Sequence, residues 1–283
     1  MIIKQFIKYI IVKFTILIVK ISEKFSLYNL LRRELTRYNS DKVEKISIKG
    51  NKNLFFFVPN DLTQFRANTF FTKEPDTLNW IDSFKKNSVF WDVGSNIGLY
   101  SCYAAKKKNC NVFAFEPSYF NLPLLTKNIN YNKIQSKVSI IPLPLSDKIS
   151  HSTFNMSDIT EGGALSSFSS LTGYDGKNIK KNFYYKTFGT NIDKFLSQYK
   201  LKSPDYLKID VDGIDHLVLK GGFKSIFKCK SILIEINLKF KSQYKLIKQI
   251  LEKKNFKLKN ETRLVSDKKS NFYQLFNQIW IKK

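Results

Sequence analysis

Short apolar runs and amphipathic segments alternate from residue 88 to the C-terminus. The apolar runs predict strands over 88–93, 111–116, 137–145, 206–211 and 231–236. Apolar residues at helical spacing between them predict helices over 97–107, 119–131, 190–200, 214–227 and 241–254. Two terminal strands are predicted over 256–260 and 276–282. This alternation with short connections is typical of an α/β fold, in which helices cover both faces of a mostly parallel sheet.

Three further segments lie outside this alternation. Residues 44–58 alternate on either side of Gly50-Asn51, which predicts a β-hairpin, and residues 75–86 predict a helix that leads into the first core strand. Residues 146–187 lose periodicity and are rich in Ser, Gly and Asn. We expect this third segment to be irregular, to cap the crevice at the strand ends and to select a substrate, because long irregular stretches inside a domain are usually functional or disordered.

The N-terminal segment is apolar but is interrupted by lysines at positions 4, 8, 13 and 20. Its longest uncharged run, residues 14–19, is six residues long, whereas about 20 are needed to cross a bilayer. It lacks the small-residue cleavage site of a signal peptide. Two interpretations remain, namely an interfacial helix held against anionic lipid, or a helix packed on its own domain or on a partner.

Charge is concentrated at the two ends of the chain. The 283 residues carry 48 Lys+Arg and 23 Asp+Glu, a formal charge of +25, yet residues 61–223 hold 20 basic and 15 acidic side chains. The nearly balanced charge of residues 61–223 favours catalysis in this part of the chain, and the basic ends would form a surface that attracts anions. The alternative is that the chain is rich in lysine without having any anionic partner. Only five of the basic residues are Arg, which disfavours specific nucleic-acid recognition.

Cysteine and histidine content excludes one class of site. The chain has three Cys with no CxxC spacing and two His, so a structural zinc site is not expected. Reduced thiols in a cytoplasmic protein are the expected state.

A glycine turn follows the strand predicted over 88–93 and opens the next helix. The residues singled out as ligand-binding here and at the end of the following strand are Asp92, Gly94, Ser95, Asn96, Gly98 and Glu116. The spacing is GxxxG rather than GxGxxG, so a pyrophosphate cradle is not indicated. Asp92 would repel a pyrophosphate but suits the cationic end of an amino-acid-like ligand, and Glu116 can accept both hydroxyls of a ribose. S-Adenosylmethionine fits this description; the alternative is a turn that only packs helix on strand.

Carboxylates also end the strand predicted over 206–211. Asp210 and Asp212 are expected in the same crevice as Asp92, on one side of the chain if both are extended. The sequence here lacks the Pro-Pro-aromatic tetrapeptide with which many nitrogen-methylating enzymes hold an amine or a base. The two carboxylates therefore favour a hydroxyl acceptor, which one acid would orient or deprotonate. The alternative for Asp212 is a helix cap. His216 is a further candidate base, although a single helix histidine is more often structural.

The same strand ends also offer possible ligands for a magnesium ion. Asp210, Glu235 and Asn237 offer the hard oxygen ligands that Mg²⁺ prefers. Such groups are common at strand tips without any metal, so no metal is predicted.

Four ordered motifs resemble the FkbM-type methyltransferases. They are VFWDVGSNIGLYS, VFAFEPSYFNLPLLTKNINYN, PDYLKIDVDGIDHLVLKGG and ILIEIN, within a resemblance that covers roughly residues 65–283. The resemblance implies a class I, Rossmann-like fold with a seven-stranded, mostly parallel sheet whose last strand is antiparallel. It implies methyl transfer from S-adenosylmethionine to oxygen, often on sugars or surface glycans.

The resemblance also implies roles for individual residues. Asp92, Gly94, Asn96, Gly98 and Glu116 would bind the cofactor. Asp210 would lie near the methyl group, and Ser146-Asp147 would touch adenine. This chain has DVDGID where many relatives have DVEGxE, so Asp212 and Asp215 are one methylene shorter.

We therefore expect an N-terminal basic helix and hairpin extension over residues 1–60 and a methyltransferase domain over 61–283, with 146–187 as its variable substrate loop. The expected acceptor is a hydroxyl on a sugar, a surface glycan or a secondary metabolite, and no specific nucleic-acid partner is expected. The expected location is the cytoplasm, with peripheral contact to anionic membrane through residues 1–25. The rivals are an NAD-dependent sugar dehydrogenase or epimerase, and a basic membrane- or nucleic-acid-binding protein with a vestigial cofactor site.

Overall fold

The computed structural model describes residues 2–40 and 42–283. The elements follow one another as α1 (Ile2–Lys24), α2 (Tyr28–Ser40), β1 (Val43–Ile48), β2 (Lys52–Phe57), α3 (Asp61–Asn68), α4 (Pro75–Asp82), β3 (Val89–Val93), α5 (Leu99–Lys108), β4 (Asn111–Phe115), α6 (Leu122–Tyr131), β5 (Val138–Ile141), β6 (Ser150–Met156), β7 (Ser166–Phe168), β8 (Phe183–Gly189), α7 (Ile192–Tyr199), β9 (Tyr206–Ile209), α8 (Asp215–Gly221), β10 (Ser231–Asn237), α9 (Lys241–Lys253), β11 (Phe256–Arg263) and β12 (Leu275–Lys282).

A seven-stranded sheet forms the centre of the molecule, in the order β11-β12-β10-β9-β3-β4-β5. Strands β10, β9, β3, β4 and β5 are mutually parallel, and β12 runs antiparallel to β10 and to β11. The predicted α/β class and the antiparallel last strand are therefore confirmed. Since the carboxyl ends of parallel strands share one edge, the segments after β3, β4, β9 and β10 meet there.

Apolar side chains fill both faces of this sheet. Because neighbouring residues of a strand point to opposite faces, Phe90 joins one core with residues of α5 and α6, whereas Trp91 joins the other with residues of α7, α8 and α9. Helices thus cover both faces, as predicted. Strand β5 is shorter than predicted because Pro142 and Pro144 follow it directly and cannot donate to a ladder.

The predicted hairpin is confirmed as β1 and β2, which pair antiparallel around Gly50-Asn51. Its buried side chains, among them Leu54 and Phe56, belong to the core that also holds Phe90. Asn128 of α6 and Asn132, just after that helix, accept hydrogen bonds from the backbone N–H groups of Phe57 and Phe55 at 2.9 and 3.0 Å. The hairpin is therefore packed into the same core as the sheet.

Helix α1 is surrounded by solvent over most of its length. Of its side chains between residues 5 and 24, all but Val19 and Ser22 are exposed, including large apolar ones such as Phe6 and Phe14. This exposure contradicts the interpretation in which the segment packs on its own domain. No helix within residues 2–40 and 42–283 combines the length and the apolar character needed to cross a membrane.

The expectation of an irregular segment over 146–187 is wrong. Strands β7, β6 and β8 form a three-stranded antiparallel sheet, whose Phe154, Met156 and Phe168 pack with Ile214 at the start of α8. The sequence conceals this sheet because aromatic residues lie on both faces of β8, so its apolar positions do not alternate; Phe188, for example, is exposed.

Two helices were also not predicted, α2 and α3. Helix α3 begins after Asn60, whose side chain accepts a hydrogen bond from the backbone N–H of Thr63. The Thr63 hydroxyl accepts the backbone N–H of Asn60 in return, which completes a capping box.

Candidate active site

The turn after β3 packs directly against the end of β9. Gly94 has φ +85°, and a Cβ atom there would lie 1.9 Å from the backbone oxygen of Asp210. Gly98 has φ +84°, and its Cβ would lie 2.5 Å from Leu125 Cδ1. Both positions therefore require glycine, because a left-handed conformation and a close approach coincide. The result is a turn that presents Ser95 and Asn96 beside the tip of β9.

Glu116, just after β4, fixes this turn. One of its oxygens accepts the backbone N–H of Asn96 at 2.7 Å, and the other accepts that of Ser118 at 2.8 Å. Burial raises the pKa of Glu116 to about 7, against the opposing effect of these two hydrogen bonds. Above that pH the side chain is a carboxylate with lone pairs left for further donors, which suits a vicinal diol.

Asp92 lies deeper than the sequence suggests. It is buried within β3, where its Oδ2 accepts the hydroxyl of Ser101 at 2.6 Å and its Oδ1 has no hydrogen-bond partner in the described chain. Burial raises its pKa. Asp92 thus supports the turn from behind and lines neither cavity described below. The buried hydroxyl of Ser95 also lacks a partner among the described residues, but Ser95 does line a cavity.

Asp210 follows β9 and forms an ion pair that the sequence analysis missed. Its Oδ2 lies 2.6 Å from Nζ of Lys208, a side chain that is 1% exposed, whereas Asp210 is 27% exposed. Burial opposes ionisation of Asp210, but Lys208 and the more distant Lys73 and Arg66 lower its pKa overall. Asp210 is therefore an ionised group at the cleft. A lysine inside an apolar strand pattern was the available signal for this pair.

Asp212 is not extended, contrary to the premise that Asp210 and Asp212 point the same way along a strand. Strand β9 ends at Ile209, and Asp212 has φ +57°. Its Oδ2 accepts the backbone N–H of Leu165 at 2.7 Å rather than capping α8. Burial and the neighbouring Asp210 raise its pKa to about 6.

The turn nevertheless brings three carboxylates together. One oxygen from each of Asp210, Asp212 and Glu235 lies within 4.8 Å of the others. Burial and then Asp210 raise the pKa of Glu235 well above its usual value. The raised pKa favours the neutral form of Glu235, and the Lys208 ammonium offsets the charge of Asp210. Both effects weaken the attraction of this cluster for a divalent cation.

Two other predicted residues lie away from the cavities. Asp147 Oδ2 lies 2.9 Å from Lys220 Nζ. Partial burial opposes the ionisation of Asp147, but Lys220 lowers the pKa of Asp147 overall. His216 packs edge-on against Phe240, with ring centroids 5.5 Å apart. Its buried Nδ1 has no hydrogen-bond partner among the described residues, and burial lowers the pKa of His216. Neither side chain lines the cavities beside Gly94.

Two cavities meet at Gly94. The first is mainly apolar, with walls that include Phe115, Pro117, Leu145, Phe168 and Ile214. The second is polar, and the charged and hydroxyl-bearing side chains that line it are Arg66, Lys73, Glu74, Ser95, Tyr100, Lys208 and Asp210. An apolar slot, a carboxylate suited to a diol and a cavity with both signs of charge match the adenine, ribose and amino-acid portions of S-adenosylmethionine. The unpartnered Ser95 hydroxyl in the polar cavity supports the same fit.

A short segment of the 146–187 region lies over the turn, and we name residues 161–165 the strap. Asn96 and Asn121 donate side-chain N–H groups to the backbone oxygen of Gly163 at 2.7 and 3.1 Å, and Arg66 Nε donates to that of Gly162 at 2.8 Å. The strap is therefore held by residues from the β3 turn, the start of α6 and α3.

The chain is similar in sequence to known methyltransferases. The family described as Methyltransferase FkbM domain matches residues 92–258. Hexuronic acid methyltransferase AglP of Haloferax volcanii is 29% identical over 161 residues, which are 56% of this chain and 59% of that protein. The chain therefore spans less than two thirds of the length of this curated relative.

Among solved structures, methyltransferase FkbM from Methylobacillus flagellatus KT has a TM-score of 0.46 and 15% identity, over 78% of this chain and 55% of that one. TYW2 of M. jannaschii, solved in complex with AdoMet, has a TM-score of 0.45 and 13% identity, over 86% of this chain and 87% of that one. The family match includes every strand-tip motif from Asp92 to Asn237 and extends over more than half of the chain. This protein therefore belongs to the FkbM methyltransferase family.

Proposed function

We propose that the protein is an S-adenosylmethionine-dependent methyltransferase that methylates an oxygen of a sugar, in a glycan or a secondary metabolite. The observation that carries the proposal is the arrangement of Glu116 and Asp210 after β4 and β9, the two strands that flank β3 and its Gly94 turn, within a chain of the FkbM family. The relative named as a hexuronic acid methyltransferase supports a uronic-acid-containing acceptor and a place in polysaccharide biosynthesis.

The binding roles follow from the two cavities and from Glu116, which lines neither but whose neighbours Phe115 and Pro117 line the apolar one. Glu116 would accept the ribose hydroxyls, the apolar cavity would hold adenine, and the polar cavity would hold the amino-acid end. Gly94, Asn96 and Gly98 would shape the turn, and Asp92 would support it from within β3. When bound, the cofactor supplies a methyl group that its sulfonium already activates, so alignment of the acceptor oxygen contributes most of the rate.

Asp212 is the strongest candidate for the base. A pKa of about 6 leaves it ionised at neutral pH yet more basic than Asp210, whose pKa is lowered overall. Neither Asp212 nor His216 lines a cavity, but Asp212 belongs to the carboxylate cluster with Asp210, which lines the polar one, whereas His216 packs against Phe240. This placement favours the two carboxylates over His216. We retain residues 146–187 as the segment that selects the acceptor, within a methyltransferase domain over 61–283, because the strap borders the cofactor turn and Asp212 contacts Leu165.

The rival NAD-dependent dehydrogenase or epimerase fits this edge of the sheet less well. A dinucleotide needs its pyrophosphate beside the glycine turn. Here Asp210 lines the cavity at that turn, and the spacing Gly94-x-x-x-Gly98 lacks the central glycine of the dinucleotide fingerprint. Membership of a methyltransferase family also favours the methyltransferase.

Calorimetric titration of the full chain with S-adenosylmethionine and with NAD⁺ tests the proposal. We expect binding of the sulfonium cofactor alone, weakened at least tenfold in Glu116→Ala because the hydrogen bonds to a charged acceptor are lost. Asp92→Ala should weaken it indirectly, by loosening the turn. Binding of NAD⁺ in place of S-adenosylmethionine, or no binding of the latter by a folded wild type, would contradict the proposal.

The acceptor class is tested with a radiolabelled methyl group. Transfer from labelled S-adenosylmethionine is followed with oligosaccharides that contain hexuronic acid and with matched oligosaccharides in which the uronic carboxyl has been reduced. Incorporation only into the acidic series supports a uronic-acid-containing acceptor. Equal incorporation into both series would still support sugar methylation but would remove the uronic acid preference.

We further propose that the enzyme acts in the cytoplasm, at the inner face of an anionic membrane. The support is α1, whose exposed apolar side chains are interspersed with Lys8, Lys13, Lys20 and Lys24. Each Lys near an anionic surface contributes about 1 kcal/mol to binding. Pelleting with anionic vesicles, but not neutral ones, is expected for the full chain and should be lost when residues 1–25 are deleted. Equal pelleting of the deleted and full chains would contradict this.

A further inference from the structure

The polar cavity carries two cations that lie upstream of the family match. Arg66 belongs to α3 and Lys73 precedes α4, whereas the family match begins at Asp92. Both side chains line the cavity that also holds Ser95, Tyr100 and Asp210. The matched family segment therefore supplies only part of the lining of this cavity, and the segment that follows the hairpin supplies the rest.

The two cations keep hydrogen-bonding capacity that the protein does not use. The Nε of Arg66 is bonded to Gly162, but no described residue bonds its terminal guanidinium nitrogens. Lys73 Nζ lies 3.5 Å from Glu74 Oε1, and the Lys73 side chain is 45% exposed. Glu74 is itself fixed, since its other oxygen accepts hydrogen bonds from Thr77 and Asn277. The Lys73 ammonium therefore keeps N–H donors for a ligand beside its contact with Glu74.

The same cavity presents an anion at a defined position. Asp210 is held by Lys208 through Oδ2, and its ionised state is favoured by Lys208, Lys73 and Arg66. The cavity thus holds Arg66 and Lys73, with Glu74 beside Lys73, and the Asp210 carboxylate paired with Lys208. Groups of both signs in one cavity are complementary to an α-amino acid, whose carboxylate and ammonium are adjacent. A lone carboxylate, such as that of a uronic acid, would place like charge beside Asp210, which disfavours it at this position.

We propose that Arg66 and Lys73 bind the α-carboxylate of the cofactor's amino-acid end, with Asp210 facing its ammonium group. This inference rests on the proposed function, because it assumes that S-adenosylmethionine is the cofactor. It assigns part of the cofactor site to α3 and the α3–α4 connection, outside the matched family segment. It also explains why Arg66, one of five arginines in the chain, lies at this cavity.

Two related nucleosides isolate the contact in a binding experiment. S-Adenosylhomocysteine carries the amino-acid end, whereas 5′-methylthioadenosine has the same nucleoside and sulfur but lacks it. Calorimetry with both ligands on the wild type, Lys73→Met and the double variant Arg66→Gln/Lys73→Met separates loss of the carboxylate contact from general damage. Lys86→Met is the matched control, because Lys86 is exposed in the turn before β3, at the opposite edge of the sheet.

We expect S-adenosylhomocysteine to bind about tenfold more weakly to Lys73→Met and still more weakly to the double variant, since two charge-assisted contacts are lost. Binding of 5′-methylthioadenosine should change by less than about twofold in each variant. The inference would be overturned if the variants bound both nucleosides more weakly to the same extent, as a loosened strap would cause. It would also be overturned if the affinity for neither nucleoside changed. A wild type that binds neither nucleoside would instead overturn the proposed function itself.

Discussion

Lys208 Nζ and Asp210 Oδ2 lie 2.6 Å apart, with the lysine buried in the sheet and the aspartate at its edge. Burial alone would lower the pKa of Lys208, but Asp210, Asp92 and Glu74 raise it overall. The lysine is therefore a permanent cation among three acids. It holds the Asp210 carboxylate in one orientation and keeps it ionised at the cleft. Lys208, two positions before Asp210 in the sequence, thus fixes a carboxylate that lines the polar cavity.

Replacing Lys208 by Met should strongly destabilise the protein. The change leaves Asp210, Asp92 and Glu74 without their shared cation, and removal of one partner from a buried pair costs about 3–5 kcal/mol. Urea unfolding measures the loss. Lys230→Met is the control: Lys230 Nζ lies 2.7 Å from Asp205 Oδ1, but the lysine is 53% exposed, so the expected loss is below about 1 kcal/mol. Equal losses in the two variants would show that burial of the Lys208 pair contributes nothing.

The glycine turn gives a second comparison, between Gly94→Ala and Gly50→Ala. Both glycines have positive φ, but nothing lies within 4 Å of a Cβ built on Gly50, whereas one on Gly94 meets the Asp210 oxygen at 1.9 Å. Strain alone should cost Gly50→Ala about 1–2 kcal/mol. Gly94→Ala must also displace β9, so it should cost at least twice as much and weaken S-adenosylhomocysteine binding. Similar thermal unfolding of the two variants would refute the close approach.

The strap should be released by Asn121→Ala. Asn121 donates to the backbone oxygen of Gly163 and accepts the backbone N–H of Gly162 at 2.9 Å. Loss of both bonds should cost about 1–2 kcal/mol locally. Hydrogen exchange of the Gly162 amide should therefore accelerate about tenfold. The control Asn182→Ala removes a bond to Ser157 outside the strap and should leave the Gly162 amide unchanged. An unchanged Gly162 rate in Asn121→Ala would mean that the strap is held by other contacts.

The central sheet was predictable because its evidence is local. Five apolar runs separated by helical periods specify a parallel sheet, and the topology of such a sheet places the ends of β3, β4 and β9 together. Asp92, Glu116 and Asp210 could be selected for that reason alone. The direction of the Asp92 side chain could not, because its hydrogen bond to Ser101 depends on how α5 packs on β3.

The rest of the site depends on contacts between distant parts of the chain. Arg66 and Gly162 are 96 residues apart in sequence, and no spacing rule links an α3 side chain to the strap between β6 and β7. The three-stranded sheet was missed for a different reason, since aromatic residues on both faces of β8 remove the period of two that marks a half-buried strand. The local sequence pattern therefore predicts the central sheet. The position of the strap, and the placement of Arg66 and Lys73 at the polar cavity, are seen only in the structure.

The raised pKa of Glu116 predicts a pH dependence of stability. Its folded-state pKa is about 7 and its ordinary value is 4.5, so between these values the folded protein binds more protons than the unfolded chain. The contribution of Glu116 is fully present below pH 4.5, falls as pH rises, and is lost above about pH 7, by roughly 3 kcal/mol in total. Glu116→Gln lacks this titration.

Urea unfolding of the wild type and Glu116→Gln at pH 5 and pH 8 measures the effect. The other acids with raised pKa values, Asp212 and Asp215 among them, titrate in both proteins and cancel in the difference. The free energy of unfolding of the variant, relative to wild type, should therefore increase between pH 5 and pH 8. Parallel pH profiles would mean that Glu116 is ionised throughout, and its ability to accept ribose hydroxyls would then not require a pH above 7.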